Sequence, residues 1–205
     1  RMRSFRPAFP LLLLSIPMSV AAAQKPFEGR VVMEMKGEGR SGEPMEMWIR
    51  GNQVRMDMGR DGQSFGMIID HGASRMTMLM SEAKMYMQQP LPKGDDAESE
   101  AKITRTGKTA TVAGHRCEII RVEDRKGDTA EICGATDMGR FAMGGAPGAG
   151  KPPAWARGMK GFFPLRVTDG KGVTVLEVTE IDAGPVDAAR FAIPPGFKPM
   201  SMPGR

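Results

Sequence analysis

Methionines set two residues apart are the groups in this chain whose type and spacing point most directly to chemistry. The sequence holds 19 of them, many in short alternating runs: V-V-M-E-M-K from Val31, M-E-M-W-I-R from Met45, V-R-M-D-M from Val54, S-R-M-T-M-L-M from Ser74 and K-M-Y-M from Lys84. A thioether is a soft ligand that selects Cu(I). It is also an unbranched, polarizable apolar group that adapts to irregular surroundings. Side chains two apart on a β-strand share a face. Met33 with Met35, Met45 with Met47, Met56 with Met58, Met76 with Met78 and Met80, and Met85 with Met87 therefore each lie on one side of a strand. Met67 alternates with Phe65 and Ile69 in the segment between. Three chemistries fit such a face: core filling in a self-filled half-barrel, an adaptable lining for an apolar guest, and soft-metal capture. In the last, M-x-M strands about 5 Å apart can converge three sulfurs.

Other groups carry less. Cys117 and Cys133 are the only cysteines and flank a hairpin. With an even count in an oxidising compartment they read as a structural disulfide. A three-residue turn centred on Arg125 would place them directly opposite each other, a pairing that a small register error would break. No C-x-x-C is present, so a redox-catalytic pair is not expected. His71 sits in the turn Asp70-His71-Gly72, and His115 lies two before Cys117, whose sulfur the disulfide would occupy. H-E-x-x-H is absent and neither histidine sits in a context that would support a nucleophile, which leaves nucleophilic and zinc-hydrolase chemistry without an anchor. Asp95, Asp96, Glu98 and Glu100 crowd one polar segment and read as solvated. The stretch from Gly144 to Lys151 is glycine-rich but has no Ser or Thr after the lysine, so it is not a phosphate loop.

The elements that must position the methionines are short strands. Alternating segments at 27–36, 45–50, 53–58 and 64–69, then two more ending near residue 87, are joined by turns such as Gly51-Asn52, Asp70-His71-Gly72 and Ser81-Glu82. Regular spacing of this kind marks an all-β sandwich or barrel. Paired in order, the strands would merge their methionines into one surface, with Glu34, Glu46, Arg55 and Asp57 facing away from it. Trp48 and Tyr86 suggest that this second face is partly covered. Pro90 and Pro92 end the meander. Further strand signals lie at 103–112, in the cysteine hairpin, at 162–167 and at 173–181. A single helical turn at 187–191 would pack Phe191 inward. Residues 138–160 are rich in Gly and Pro and read as a flexible loop or flap. The fold class expected is all-β and mainly antiparallel: an open or incomplete barrel, or strongly curved sheet, of roughly ten strands with little helix.

Arg1, Arg3 and Arg6, an apolar run over 9–20 and Ala21-Ala22-Ala23 form the pattern of a cleavable signal peptide over residues 1–23. Its run is too short to span a bilayer comfortably. Removing its three arginines lowers the formal charge from +5 to +2, so the basicity is no nucleic-acid footprint. Residues 24–205 fit one half-barrel domain, periplasmic and with no transmembrane anchor after cleavage.

The order of W-I-R-G-N-Q-V-R, I-I-D-H-G, K-M-Y-M, T-V-A-G-H-R-C, G-F-F-P-L-R and V-D-A-A-R-F-A-I-P-P-G-F resembles the bacterial domain-of-unknown-function 4412 family across nearly all of the chain after residue 23. That family looks related to the LolA/LolB-like fold of outer-membrane lipoprotein carriers, an open antiparallel barrel that holds acyl chains in its concavity. The chain departs from the carriers in lacking amphipathic helices to serve as plug and lid. The resemblance therefore implies a periplasmic half-barrel able to hold something apolar, and transfers no individual binding residue. The expected function is non-enzymatic binding of a lipid or lipidated protein, without a cofactor and without nucleic acid, with envelope proteins as further partners. Met33, Met35, Met45, Met47, Met56, Met58, Met67, Met76, Met78, Met85 and Met87 would line the site. The alternatives are Cu(I) binding through clustered thioethers and a structural or interaction module with a self-filled core.

Overall fold

A computed structural model describes residues 27–36, 44–60, 63–91, 101–124, 126–138 and 162–200. The period-two alternation becomes strand throughout: β1 Glu28–Met35, β2 Pro44–Arg50, β3 Gln53–Arg60, β4 Gln63–Asp70, β5 Arg75–Met80 and β6 Met85–Pro90 form the opening meander. β7 Lys102–Val112, β8 His115–Glu123, β9 Thr129–Ala135, β10 Phe163–Asp169 and β11 Thr174–Ala183 form a second one. A 3₁₀ turn, Ala188–Phe191, and a short β12, Lys198–Pro199, follow. All twelve strands belong to one open, curved sheet in the order β12-β6-β5-β4-β3-β2-β1-β11-β10-β9-β8-β7. Every pairing is antiparallel except β12 on β6.

The long-range joint is β1 against β11, which places the first strand in the middle of the sheet. Gly29 permits this approach, because a Cβ there would run into the Asp182 carbonyl oxygen. A register shift between Val32 and Met33 marks a bulge at the same joint, a device that bends and twists a strand. Such bending suits a sheet that curves around its own core.

One face carries the main core, which is continuous from the methionine strands to Phe163, Leu165, Val167 and Leu176. We call it the inner face. The outer face carries charge: Arg30 bonds Glu46 and meets Glu180 at 2.9 Å and Asp182 at 3.0 Å, while Arg55 pairs with Asp57 at 2.9 Å. These four strands thus separate apolar from ionic side chains by simple alternation. Over β3–β6 the outer face is covered. The chain after β11 crosses it, placing Val186 and Phe191 against Ile68 and Leu79, with Trp48 and Tyr86 alongside. Phe191 is buried as the sequence suggests, but in this second, outer core.

β7 is one strand with an irregular register between Arg105 and Thr109, where Gly107 has a positive φ. The cysteine hairpin differs from its expected register. Cys133 lies opposite Ile119, so the turn centres on Lys126 and not on Arg125. The reason is local: Asp124 Oδ1 accepts from the N–H groups of Lys126 and Asp128, and Gly127, with a φ of 84°, donates to the Asp124 carbonyl. The two cysteines are then diagonal neighbours and still bond, with a Cα–Cα separation of 5.3 Å, within the usual span for a disulfide.

Candidate functional site

Strand register decides what the methionines form. Val31 lies opposite Met47, Met47 opposite Met56, Met56 opposite Met67, Met67 opposite Met78, and Met78 opposite Met87. One row of thioethers thus crosses five consecutive strands, β2 to β6. A second row runs beside it, with Met33 opposite Met45 at one end and Met58, Phe65, Met80 and Met85 in successive opposition at the other. Met76 belongs to a third row with Ile49, Val54 and Ile69. Directly opposed side chains have Cβ atoms about 5 Å apart, so each row is a contact line.

Burial divides these methionines in two. Met33, Met45, Met47, Met56, Met67 and Met76 are buried core residues, with Met47 at 1% exposure and Met56 and Met67 at 4%. They pack as core filler, sulfur and all. Met35, Met58, Met78, Met80, Met85 and Met87 are only partly buried. Four of these six lie on β5 and β6, next to Phe65, which is 38% exposed. The row that starts buried at β2 therefore reaches solvent at β6.

The β4–β5 turn, which leads into β5 beside the buried Met76, is fixed by Asp70. Its carboxylate accepts from the Ala73 N–H at 2.8 Å and from Gln53 Nε2 at 3.0 Å. The Ala73 bond first, and the Gln53 bond after it, hold the Asp70 pKa below the ordinary carboxylate range. His71 in the same turn donates its backbone N–H to the Asn52 carbonyl at 2.9 Å. The other histidine, His115, lies with Nε2 3.0 Å from Asp137 Oδ1 on a different part of the sheet. The disulfide partners Cys117 and Cys133 are each 3% exposed within the main core, which suits a staple and not a redox centre. Among the described residues no group of three or more His, Cys, Asp or Glu is placed to hold a metal. The acidic run at 95–100 and the Gly/Pro-rich stretch at 139–160 lie outside the described residues, as does the signal-like segment.

Sequence reasoning left two thioethers out of the site. Met80 sits squarely between Phe65 and Met85; the M-T-M-L-M spacing contains that signal. Met200 follows β12, whose parallel register sets Lys198 beside Met85 and Pro199 beside Tyr86. One residue on, the Met200 N–H donates to the Tyr86 carbonyl at 2.8 Å, bringing Met200 alongside Met87. Nothing local in the sequence announces that return.

A family model described as "Domain of unknown function (DUF4412)" matches residues 27–197. The chain belongs to this family. No curated protein matches the sequence. Two crystal forms of PNGF-II, C2 and P21, share the fold of this DUF4412 chain at a TM-score of 0.51, with 11% and 7% identity over 84% and 85% of it. The DUF4412 chain spans only 30% and 31% of those proteins, and at such identity the likeness is one of fold alone. An uncharacterized conserved protein from Thermus thermophilus is similar at 10% identity, a TM-score of 0.49, and coverage of 85% of this chain and 90% of that one.

Proposed function

We propose that this DUF4412 protein is a non-enzymatic carrier or sensor of an apolar molecule, holding a lipid-like chain against the β5–β6 end of its methionine face. The observation that carries the proposal is the opposed row Met47–Met56–Met67–Met78–Met87, buried at one end and open at the other. A guest laid on the open end extends a row that is already apolar, and unbranched thioethers shift to fit it with little directional demand. The LolA/LolB-like resemblance and the signal-like N-terminus favour the periplasm as the place and a lipid or a lipidated envelope protein as the guest. The buried methionines, by contrast, support the self-filled alternative for the centre of the sheet. The guest site is therefore smaller than the full methionine set.

The test is binding of a dansyl-labelled fatty acid to the full chain, followed by emission, together with native mass spectrometry of protein isolated from its own envelope. Met87→Glu and Met78→Glu should each weaken the fatty acid by about tenfold or more, since a carboxylate on an apolar contact line must be desolvated. Parent protein that takes up no probe and carries no lipid, or variants that bind as well as the parent, would end this reading.

A further inference from the structure

The β5–β6 hairpin holds something the apolar reading does not need. Met78 lies opposite Met87 and Met80 opposite Met85, on the same face of adjacent strands. Leu79 and Tyr86, which alternate with them, point into the outer core. Four thioethers therefore stand as two opposed pairs on one hairpin, and Met200 comes alongside Met87 as a fifth. All five are partly buried, so they are sheltered yet reachable from solvent. Core filling does not account for methionine here. At a half-exposed strand position β-branched or aromatic residues fit better, and ordering a methionine costs more side-chain entropy than ordering Ile or Leu. The cost is repeated four times on this one hairpin, always at a position facing another thioether.

We propose that Met78, Met80, Met85 and Met87, with Met200 at the rim, form a binding site for a soft monovalent cation, Cu(I) or Ag(I). Thioether sulfur is neutral and polarizable, and ligands of this softness select Cu(I) over harder ions. Strands about 5 Å apart allow flexible side chains from both sides to meet on one ion. The aromatic ring of Phe65, next to Met80 in its row, closes one side of the cluster. Exposed Lys84 and Lys198 flank the hairpin, the latter in register with Met85. Their charge opposes a divalent ion more than a monovalent one. The five ligands are all thioethers, with none of the imidazole, carboxylate or thiolate groups that hold Zn(II). This site does not depend on lipid binding, and the two stand or fall separately.

The decisive comparison uses leucine, which keeps the apolar volume and removes only the sulfur. Full chain is titrated with Ag(I) and followed by native mass spectrometry, and with Cu(I) in competition with bicinchoninic acid. The parent should take one ion per chain and should ignore Zn(II). Met78→Leu with Met87→Leu, or Met80→Leu with Met85→Leu, should weaken it by about 30-fold or more, and the fourfold leucine variant should lose it. Met200→Leu should cost about fivefold, as expected of a ligand at the rim. The buried control, Met47→Leu with Met56→Leu, should retain the ion at parent affinity. Circular dichroism identifies the folded variants, and the two double variants serve if the fourfold one does not fold. Uptake unchanged in the hairpin variants, equal loss in the buried control, or parent affinity no better than that of a free methionine peptide would each overturn the site. Fatty-acid uptake by the parent chain, read without added metal, reports on the apolar proposal alone.

Discussion

The two halves of the sheet share topology but not contents. From β1 to β6 the inner face is built largely from methionine, with Met33, Met47, Met56, Met67 and Met76 all buried. From β7 to β11 it is built from branched and aromatic side chains: Ile120, Val122, Ile132, Phe163, Leu165, Val167 and Leu176. The Cys117–Cys133 bridge ties β8 to β9 in the same half from the other face, with Cys133 in register with Arg166. Each half is held differently. The disulfide half has rigid rotamers and a covalent staple, whereas the methionine half has flexible filler on its inner face and a strap across its outer one. Flexible filler specifies a core less sharply but yields to a guest. The difference teaches where this fold is meant to be unique and where it is meant to adapt.

The largest effect should come from truncation in the rigid half. Phe163 is fully buried, and Phe163→Ala removes a ring whose branched and aromatic neighbours cannot move in; a loss of about 4 kcal/mol is expected. Met47→Ala, equally buried, should cost only about 2 kcal/mol, near the low end of such truncations, because the adjoining thioethers can rotate into the space. Urea unfolding measures both. Equal losses would mean that the methionine half packs as stiffly as the other.

Next in size is the staple. Cys117→Ala with Cys133→Ala releases a bridge between residues 16 apart in sequence, which should lower stability by about 3 kcal/mol. The loss should fall on the half that contains the bridge. In hydrogen exchange, β8 and β9 should lose protection first while β3–β5 keep theirs. Uniform loss across the sheet would dissolve the distinction between the halves and make the twelve strands one cooperative unit.

How much of this was readable in the residues follows the same division. The meander β1–β6 is legible because its partners are consecutive and its turns are short, so alternation fixes face and neighbour together. Inner methionines and outer Glu46, Arg55 and Asp57 follow directly from that. The joint of β1 to β11 is not legible, since partners from opposite ends of the described chain leave only a close-packed Gly29 and a bulge as traces. The disulfide pairing is readable from the even cysteine count, but its register is not, because the Asp124 and Gly127 turn shifts the hairpin centre by one residue. In the candidate site, spacing gives the shared face. It cannot give the gradient of burial along the row, which depends on how far the sheet curves and where the chain after β11 travels.

That returning chain offers the finest test of how the methionine half is held. The Arg190 guanidinium lies 3.7 Å over the Trp48 ring, a geometry in which the cation meets the negative face of the indole. The backbone beneath it is tied independently, because Arg55 donates from Nη1 to the Arg190 carbonyl at 2.8 Å, and the Asp187 side chain caps the 3₁₀ turn through the Ala189 N–H. Arg190→Ala should therefore remove the stack without releasing the strap, at a cost of about 0.5–1 kcal/mol for an exposed cation–π pair. Arg190→Lys should recover part of that. Trp48 fluorescence should shift while fatty-acid and Ag(I) binding on the opposite face stay as they were. Should either ligand weaken several-fold in Arg190→Ala, the outer strap and the inner methionine face would be mechanically coupled, and the strap would belong to the binding device as well as to the scaffold.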